Sequence, residues 1–306
     1  MSDLRIMVVG SANLDVVVPV DRHPRLGETV IGGDHYRAAG GKGANQAVAC
    51  ARLGVSTGFV GCVGDDDVGV TLRRALRDDH VDLAHLTSLD GTPSGLALIV
   101  VDLGGENTIV VSPGANARLS EEHVAAAPLR EADAVLLQLE VPLATVTAAA
   151  VATRGLVVLN PAPAAALPAA LLQRTDVLVP NRGELAMLAG AENEPTTPDE
   201  VIDMVRTLAG PERVVVTLGA DGALAVGPAT ATHVAAVPVE SVDATAAGDA
   251  FCAALTVALT EGADLDAATR WATAAAAITV TRKGAQPSLP TRREVEANHT
   301  RGQDRS

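Results

Sequence analysis

The chain has 306 residues, a formal net charge of −14 and a sequence pI of about 4.8, which excludes a general binder of phosphate backbones. Aromatic residues make up 1%, only Tyr36, Phe59, Phe251 and Trp271, so a base-stacking surface for nucleic acid is excluded too. At 48% apolar the chain is not disordered, and its core must be built from Ala, Val and Leu.

Residues 4–9 are a short apolar run closed by Gly10, the pattern of a buried strand. Residues 29–36 are mixed and glycine-bearing, and are expected as an exposed strand. Residues 45–53 place Ala and Val at helical spacing and stop at Gly54. A strand over 58–63 comes next, then a helix over 67–79 with Val68, Leu72, Ala75 and Leu76 on one face. Residues 96–101 and 108–111 predict a hairpin turned through Gly104-Gly105-Glu106-Asn107.

Beyond the hairpin the pattern becomes regular. Ser120 caps a helix that carries Glu121 and Glu122 in its first turn. Strands are expected over 134–139, 156–159, 177–179 and 213–218, and helices over 143–153, 168–173 and from 184 to 188. Thr197-Pro198 opens another helix with a cap and a proline at its first position. Residues 222–226 and 233–238 suggest late antiparallel strands, followed by Ala-rich helices over 247–259 and 265–280. This alternation implies a mostly parallel sheet covered on both faces. The stretches 14–37 and 92–112 do not fit it, and are expected to form a small separate sheet such as a lid. From Thr291 the sequence is polar and is expected to fray.

Cys50, Cys62 and Cys252 are scattered without a Cys-x-x-Cys, which gives neither a disulfide framework nor a zinc site and fits a reducing cytoplasm. Residues 1–10 lack a basic segment followed by a long apolar run, so no signal peptide is expected. No uncharged apolar run approaches the roughly 18 residues that span a bilayer, so no membrane partner is expected. The histidines show no metal-ligand spacing, and neither Gly-x-Ser-x-Gly nor a dinucleotide Gly-x-Gly-x-x-Gly after the first strand is present.

The segment Asp243-Ala244-Thr245-Ala246-Ala247-Gly248-Asp249 lies just before an apolar helix. Small residues let successive N–H groups converge, and a helix N-terminus adds partial positive charge, so the segment suits an anion. Asp249 fits two roles there: a simple helix cap, or a base that takes a proton from an alcohol while the amides hold a phosphoryl group. Gly40-Gly41-Lys42-Gly43-Ala44-Asn45 also precedes a helix, without the full Walker pattern, and suits either a tight turn or a polar-ligand surface. Asn13 and Asp15 share one side of an extended segment and are suitable acceptors for vicinal hydroxyls, or belong to an ordinary strand end. Glu140 stands where open α/β sheets bind ligands, outside the carboxyl end of a strand, or is a solvated charge there. Asn181 and Glu184 suit a hydrated Mg²⁺ near phosphates, or a cap with its first-turn acid. Thr217-Leu218-Gly219-Ala220-Asp221-Gly222 turns after a strand, with or without a nucleotide against it.

Together, and in this order, these motifs resemble the ribokinase family of carbohydrate kinases from about Met7 to Ser288. Further segments carry the likeness: Gly10-Ser11-Ala12-Asn13-Leu14-Asp15, Gly64-Asp65-Asp66, Gly114-Ala115-Asn116, Gln138-Leu139-Glu140, Asn160-Pro161-Ala162-Pro163 and Thr281-Arg282-Lys283-Gly284-Ala285-Gln286-Pro287-Ser288. The resemblance implies a three-layer α/β fold over 1–290 as one domain, a small β-sheet lid over 14–37 and 92–112, and a polar tail over 291–306. It implies phosphoryl transfer from ATP to the 5-hydroxyl of D-ribose, with Asp249 as base and the Ala246, Ala247 and Gly248 amides as anion hole. Sugar contacts are then Asn13, Asp15, Gly41, Lys42, Gly43, Asn45 and Glu140. Nucleotide contacts are Asn181, Thr217, Leu218, Gly219, Ala220, Asp221, Gly222, Gly248 and Thr273. Glu184 stands near Mg²⁺, and Asp243, Thr245, Thr279, Arg282, Gly284 and Ser288 surround K⁺, several through backbone carbonyls. A homodimer through paired lids is also implied. Deoxyribose, a ketohexose or a nucleoside is the alternative acceptor, and a non-catalytic sugar-binding protein the alternative class. Departures from the family pattern are Thr273 in place of a frequent His near the adenine, Ala244 in place of a frequent Thr, and the less acidic Arg182-Gly183.

Overall fold

The computed structural model describes residues 4–303. The first half holds β1 (Arg5–Val9), β2 (Asn13–Pro19), β3 (Tyr36–Gly40), α1 (Lys42–Arg52), β4 (Ser56–Gly64), α2 (Asp67–Asp78), β5 (Asp82–Leu89), β6 (Gly95–Val101) and β7 (Asn107–Ser112). Next come α3 (Glu121–Ala125), β8 (Ala134–Leu137), α4 (Leu143–Ala152), β9 (Leu156–Leu159), α5 (Ala169–Arg174), β10 (Val177–Leu178) and α6 (Arg182–Leu188). The remainder is α7 (Pro198–Thr207), β11 (Arg213–Thr217), β12 (Ala223–Val226), β13 (Ala231–Val234), α8 (Ala247–Thr260), α9 (Leu265–Thr279) and α10 (Arg292–Gln303).

Nine strands form the central sheet in the order β13-β12-β11-β10-β9-β8-β1-β4-β5, parallel from β11 to β5 and antiparallel at β12 and β13. Alternation along each buried strand feeds two apolar layers. Ile6, Val8 and Leu136 pack with α1, α8 and α9, while Met7, Val9 and Leu137 pack with α4, α6 and α7. A strand hydrophobic on both faces is what the uninterrupted apolar runs required.

Four strands, β3-β2-β6-β7, form the small second sheet, so the two leftover stretches of sequence do pair. Their bounds differ from expectation. The strand expected over 29–36 is irregular, and pairing begins at Tyr36, opposite Val17. Gly33 N–H donates to Pro19 O (2.9 Å), and a Cβ on Gly32 would lie 2.7 Å from that same oxygen. The glycine pair therefore folds back on the end of β2 instead of extending.

Two further differences have the same origin in local context. Strand β5 is polar at half of its positions and buries little but Leu86, because an edge strand needs only one covered face. The polar stretch from Thr291 is helical over α10 and does not fray at its start. Its Val295 is fully buried, and Arg292 Nε donates to Leu53 O at the end of α1 (2.5 Å) while its guanidinium stacks over Trp271. Strand β13 spans only Ala231–Val234, short of the expected 238. None of the described helices is long and apolar enough to cross a membrane.

Candidate active site

The order β8-β1-β4 is a switch point: the chain leaves β1 toward β4 on one side and returns to β8 on the other. Open α/β sheets bind ligands at such a point, outside the carboxyl ends of the strands, and the predicted sugar contacts meet there, after β1 and β8. Ser11 Oγ donates to Glu140 Oε2 (2.5 Å), and Lys42 N–H donates to the same oxygen (3.1 Å). Gly41 has φ 88°, and a Cβ on it would lie 2.7 Å from Asn13 N, so only glycine lets α1 begin this close to β2. Asn13 is 2% exposed, and its Oδ1 accepts from Asn116 Nδ2 (2.7 Å). Asp15 sits against Gly40, where a Cβ would lie 2.2 Å from its Oδ2. Burial, then the nearby Glu140 and Asp249, push the Asp15 carboxyl up to about 7.

Asp249 occupies the first turn of α8 and is buried. Its Oδ2 accepts from Asn45 Nδ2 (2.9 Å) and its Oδ1 from Gln46 Nε2 (3.0 Å), both offered by α1. Burial pushes its carboxyl above the ordinary range; Lys42, Asn45 and Gln46 pull it back, and Glu140 adds to the rise. Burial works to lower Lys42, but Asp249, Glu140 and Glu184 outweigh it and hold the ammonium above its usual value. That side chain therefore lies among carboxylates of three separate elements. At the helix start Ala246 adopts φ 61°, and none of the described residues accepts from Gly248 N–H or Asp249 N–H, as expected of first-turn amides. A Cβ on Gly248 would meet nothing within 4 Å, so this amide borders open space. The Ala247 amide departs from the expected set of three, because it already donates to Ala244 O (3.2 Å) and closes the turn.

Of the predicted nucleotide residues, Asn181 and the turn from Thr217 to Gly222 gather at the ends of β10 and β11, joined by a bridge between Asn181 and Thr217, while Gly248 starts α8 and Thr273 lies within α9. Asn181 and Glu184 form a capping box on α6: Glu184 N–H donates to Asn181 Oδ1 (2.8 Å), and Asn181 N–H to Glu184 Oε2 (2.8 Å). Burial raises the half-buried Glu184 carboxyl, partly offset by that bond and by Lys42. Thr217 N–H donates to Pro180 O (2.9 Å), and Leu218 N–H to Gly222 O (2.8 Å), which draws the turn of Gly219, Ala220 and Asp221 tight and exposed. Arg182 pairs with Asp221 (2.8 Å). Thr273 is 6% exposed, and its hydroxyl donates back to Thr269 O (2.9 Å), so it is committed to α9 and does not reach outward.

Asp243 ties two loops together, accepting from Thr245 N–H (2.9 Å) and Gly284 N–H (2.8 Å). Although burial opposes it, those bonds and Lys283 hold its carboxyl below the ordinary range. The side chains of three other predicted cation positions are engaged elsewhere. Thr279 donates to Ala275 O, Ser288 to Ala285 O, and Arg282 pairs with Glu294.

Three polar residues at the site escaped sequence reasoning. Asn116 clamps the β1–β2 turn by accepting from Ala12 N–H (2.9 Å) and donating to Ala12 O (3.2 Å). Gln46 and Gln138 are fully buried behind Asp249. Asn116 and Gln138 lie within motifs named above and Gln46 directly follows one, but nothing local to them marks an amide that will face the site.

A buried carboxylate held at a helix N-terminus, with an ammonium beside it and free amides bordering open space, is the arrangement of a phosphoryl-transfer site on an open α/β sheet. The family described as pfkB family carbohydrate kinase matches residues 3–292, and the chain belongs to that family. It is 40% identical to a ribokinase of Haemophilus influenzae over 295 residues, 95% of this chain and 96% of that one. A crystal structure of ribokinase from Thermotoga maritima matches it with a TM-score of 0.87 at 38% identity, over 97% of this chain and 99% of that one. The structure of Arabidopsis thaliana ribokinase complexed with ribose and ATP matches with a TM-score of 0.86 at 34% identity, over 98% and 99% of the two chains.

Proposed function

We propose that the protein transfers the γ-phosphoryl group of ATP to the 5-hydroxyl of D-ribose, with Asp249 as the base. The observation that carries this is the pairing of the Asp249 carboxylate with open Gly248 N–H at the start of α8, beside Lys42. The hydroxyl oxygen attacks the γ-phosphorus as the bond to the β-phosphate oxygen breaks. The hydroxyl proton passes to Asp249 and ADP departs. Lys42 and the amides of Ala246 and Gly248 take up the charge of the migrating group, and Ala247 joins them once it releases Ala244 O. Asn13, Asp15, Gly41, Gly43, Asn45 and Glu140 hold the sugar, and the exposed turn 219–221 with Asn181 takes the nucleotide.

Glu184 fits a hydrated Mg²⁺: it is a single half-buried carboxylate across from Lys42, and such sites need one acid plus substrate phosphates. The ion supplies neutralising charge. The carbonyl-rich loops around Asp243 and Gly284 fit K⁺, since their side chains are engaged elsewhere. The lid supports a homodimer. Tyr36, Ile109 and Val111 are about half exposed on the same lid face as Asp15. Ile109→Glu should turn a dimer into a monomer in sedimentation. Free, buried Cys50, Cys62 and Cys252 support a cytoplasmic setting. The lid and the central sheet are taken as one domain over 1–290.

A coupled ADP-release assay in Mg²⁺ and K⁺ tests the whole reading, with ribose, deoxyribose, fructose and nucleosides as acceptors. Ribose should give the highest kcat/KM. No ribose-dependent turnover, or a clear preference for another acceptor, overturns the assignment.

A further inference from the structure

Two wholly buried glutamines stand in line behind the Asp249 carboxylate, and the direction of each amide is dictated by the one before it. An ionised carboxylate only accepts hydrogen bonds. Gln46 therefore presents its NH₂ to Asp249 Oδ1 (3.0 Å), which leaves its Oε1 as an acceptor. Gln138 Nε2 donates to that Oε1. The chain ends at Gln138 Oε1, which has no partner among the described residues and sits where a Cβ on Gly10 would come within 2.0 Å. Turning either amide round would set oxygen against oxygen. Asn45 also donates to Asp249, but its buried Oδ1 has no protein partner and is available to a ligand. Gln46 and Gln138 are 0% exposed, and the further Nε2 contacts of each stay inside the protein, to Asn160 Oδ1 (3.5 Å) and Leu136 O (3.5 Å).

We propose that Gln46, itself oriented by Gln138, is a positioning residue that aims the Asp249 carboxylate and stabilises its charge, leaving one lone pair on each oxygen for the acceptor alcohol. This rests on Asp249 being the base. The charged and titratable groups that face this carboxylate are Lys42 from α1, Glu140 after β8, Asp15 from β2 and Cys252 one turn along α8. Only Lys42 among them favours the ionised form, so the amide donors matter. Removing a donor that favours the ionised form raises the folded pKa, and the acid limb of the rate profile moves to higher pH.

The test is the pH dependence of kcat/KM for ribose in wild type, Gln46→Leu, Gln46→Glu, Gln138→Leu and the double Leu variant, with melting curves for each. Gln46→Leu should move the acid limb up by about one pH unit. The near-isosteric Gln46→Glu should move it further and guards against a misfolded Leu variant. Gln138→Leu should move it the same way by less, and the double variant no further than Gln46→Leu alone, because both act on one carboxylate. An unmoved limb in folded Gln46 variants, or additive shifts in the double variant, overturns the proposal. Asp249→Asn separates the two readings: if it stays active, the base assignment fails, and if it is inactive while the Gln46 profiles stay put, only the positioning role fails.

Discussion

The sugar side and the nucleotide side of this site are built on opposite terms. On the sugar side Asn13, Asp15, Asn45 and Asp249 are buried in the protein itself, and Asp15 shares the site with the carboxylates of Glu140 and Asp249. On the nucleotide side Asn181 and the turn 219–221 are exposed, and the side chains there mostly serve their own backbone as caps and turn ties. Under the proposed function, the contrast puts selectivity on the sugar side. A small polyol is recognised by fixed, desolvated side chains that penalise a missing hydroxyl. A nucleotide held on that exposed turn would depend less on side-chain identity.

Removing the base should give the largest effect. Asp249→Asn keeps the shape of the side chain and should lower kcat by roughly 10³-fold or more, with ribose binding by calorimetry little changed. Equal loss of binding and turnover would erase the distinction between a preformed sugar pocket and a reacting group. Asp15 tests the crowding itself. Its folded pKa, about 7, lies above the ordinary 3.8, so the fold prefers the neutral form, and stability is lost as pH rises from about 4 through 7. Asp15→Asn removes that loss. Its advantage in unliganded stability over wild type should be small near pH 4 and reach on the order of 4 kcal/mol by pH 8, read from denaturant melts. A difference that does not vary with pH would mean that burial and the neighbouring carboxylates leave Asp15 unshifted.

Replacing K⁺ by a large organic cation should lower kcat about tenfold while the melting temperature barely moves, because the Asp243 loop sets the neighbouring amides. On the nucleotide side the effects shrink. Asn181→Ala loses a cap worth about 1 kcal/mol and should raise KM for ATP a few-fold without moving KM for ribose. Thr273→Val should leave KM for ATP within about twofold of wild type, since its hydroxyl already serves Thr269 O. A larger change at Thr273 would bring α9 into the nucleotide site.

Much of this was legible in the residues. Runs such as 134–139 and 213–218 announced strands covered on both faces, and Ile6 against Met7 shows the alternation at work. The Thr197-Pro198 helix start matched the structure because its cap is made by neighbours along the chain. The stretch 29–36 failed because Gly32 and Gly33 are decided by Pro19, not by their own propensity. Strand β5 was missed because an edge strand can be polar. Helix α10 was missed because Val295 and the stem of Arg292 find their partners only on α1 and α9. Gln46 and Gln138 gave no local sign, since a buried amide is recognisable only from what it faces.

What the sequence alone determined are properties carried by near neighbours: period, caps, turns, and the small-residue loop that lets amides converge before α8. Which side chains share a site was decided by the order of strands in the sheet. Ser11 reaches Glu140 across 129 positions, and Asn45 reaches Asp249 across 204. The physical reason is range. A cap or a turn is settled by contacts within a few residues, whereas a carboxylate's charge depends on whatever folding happens to bring within a few ångströms of it.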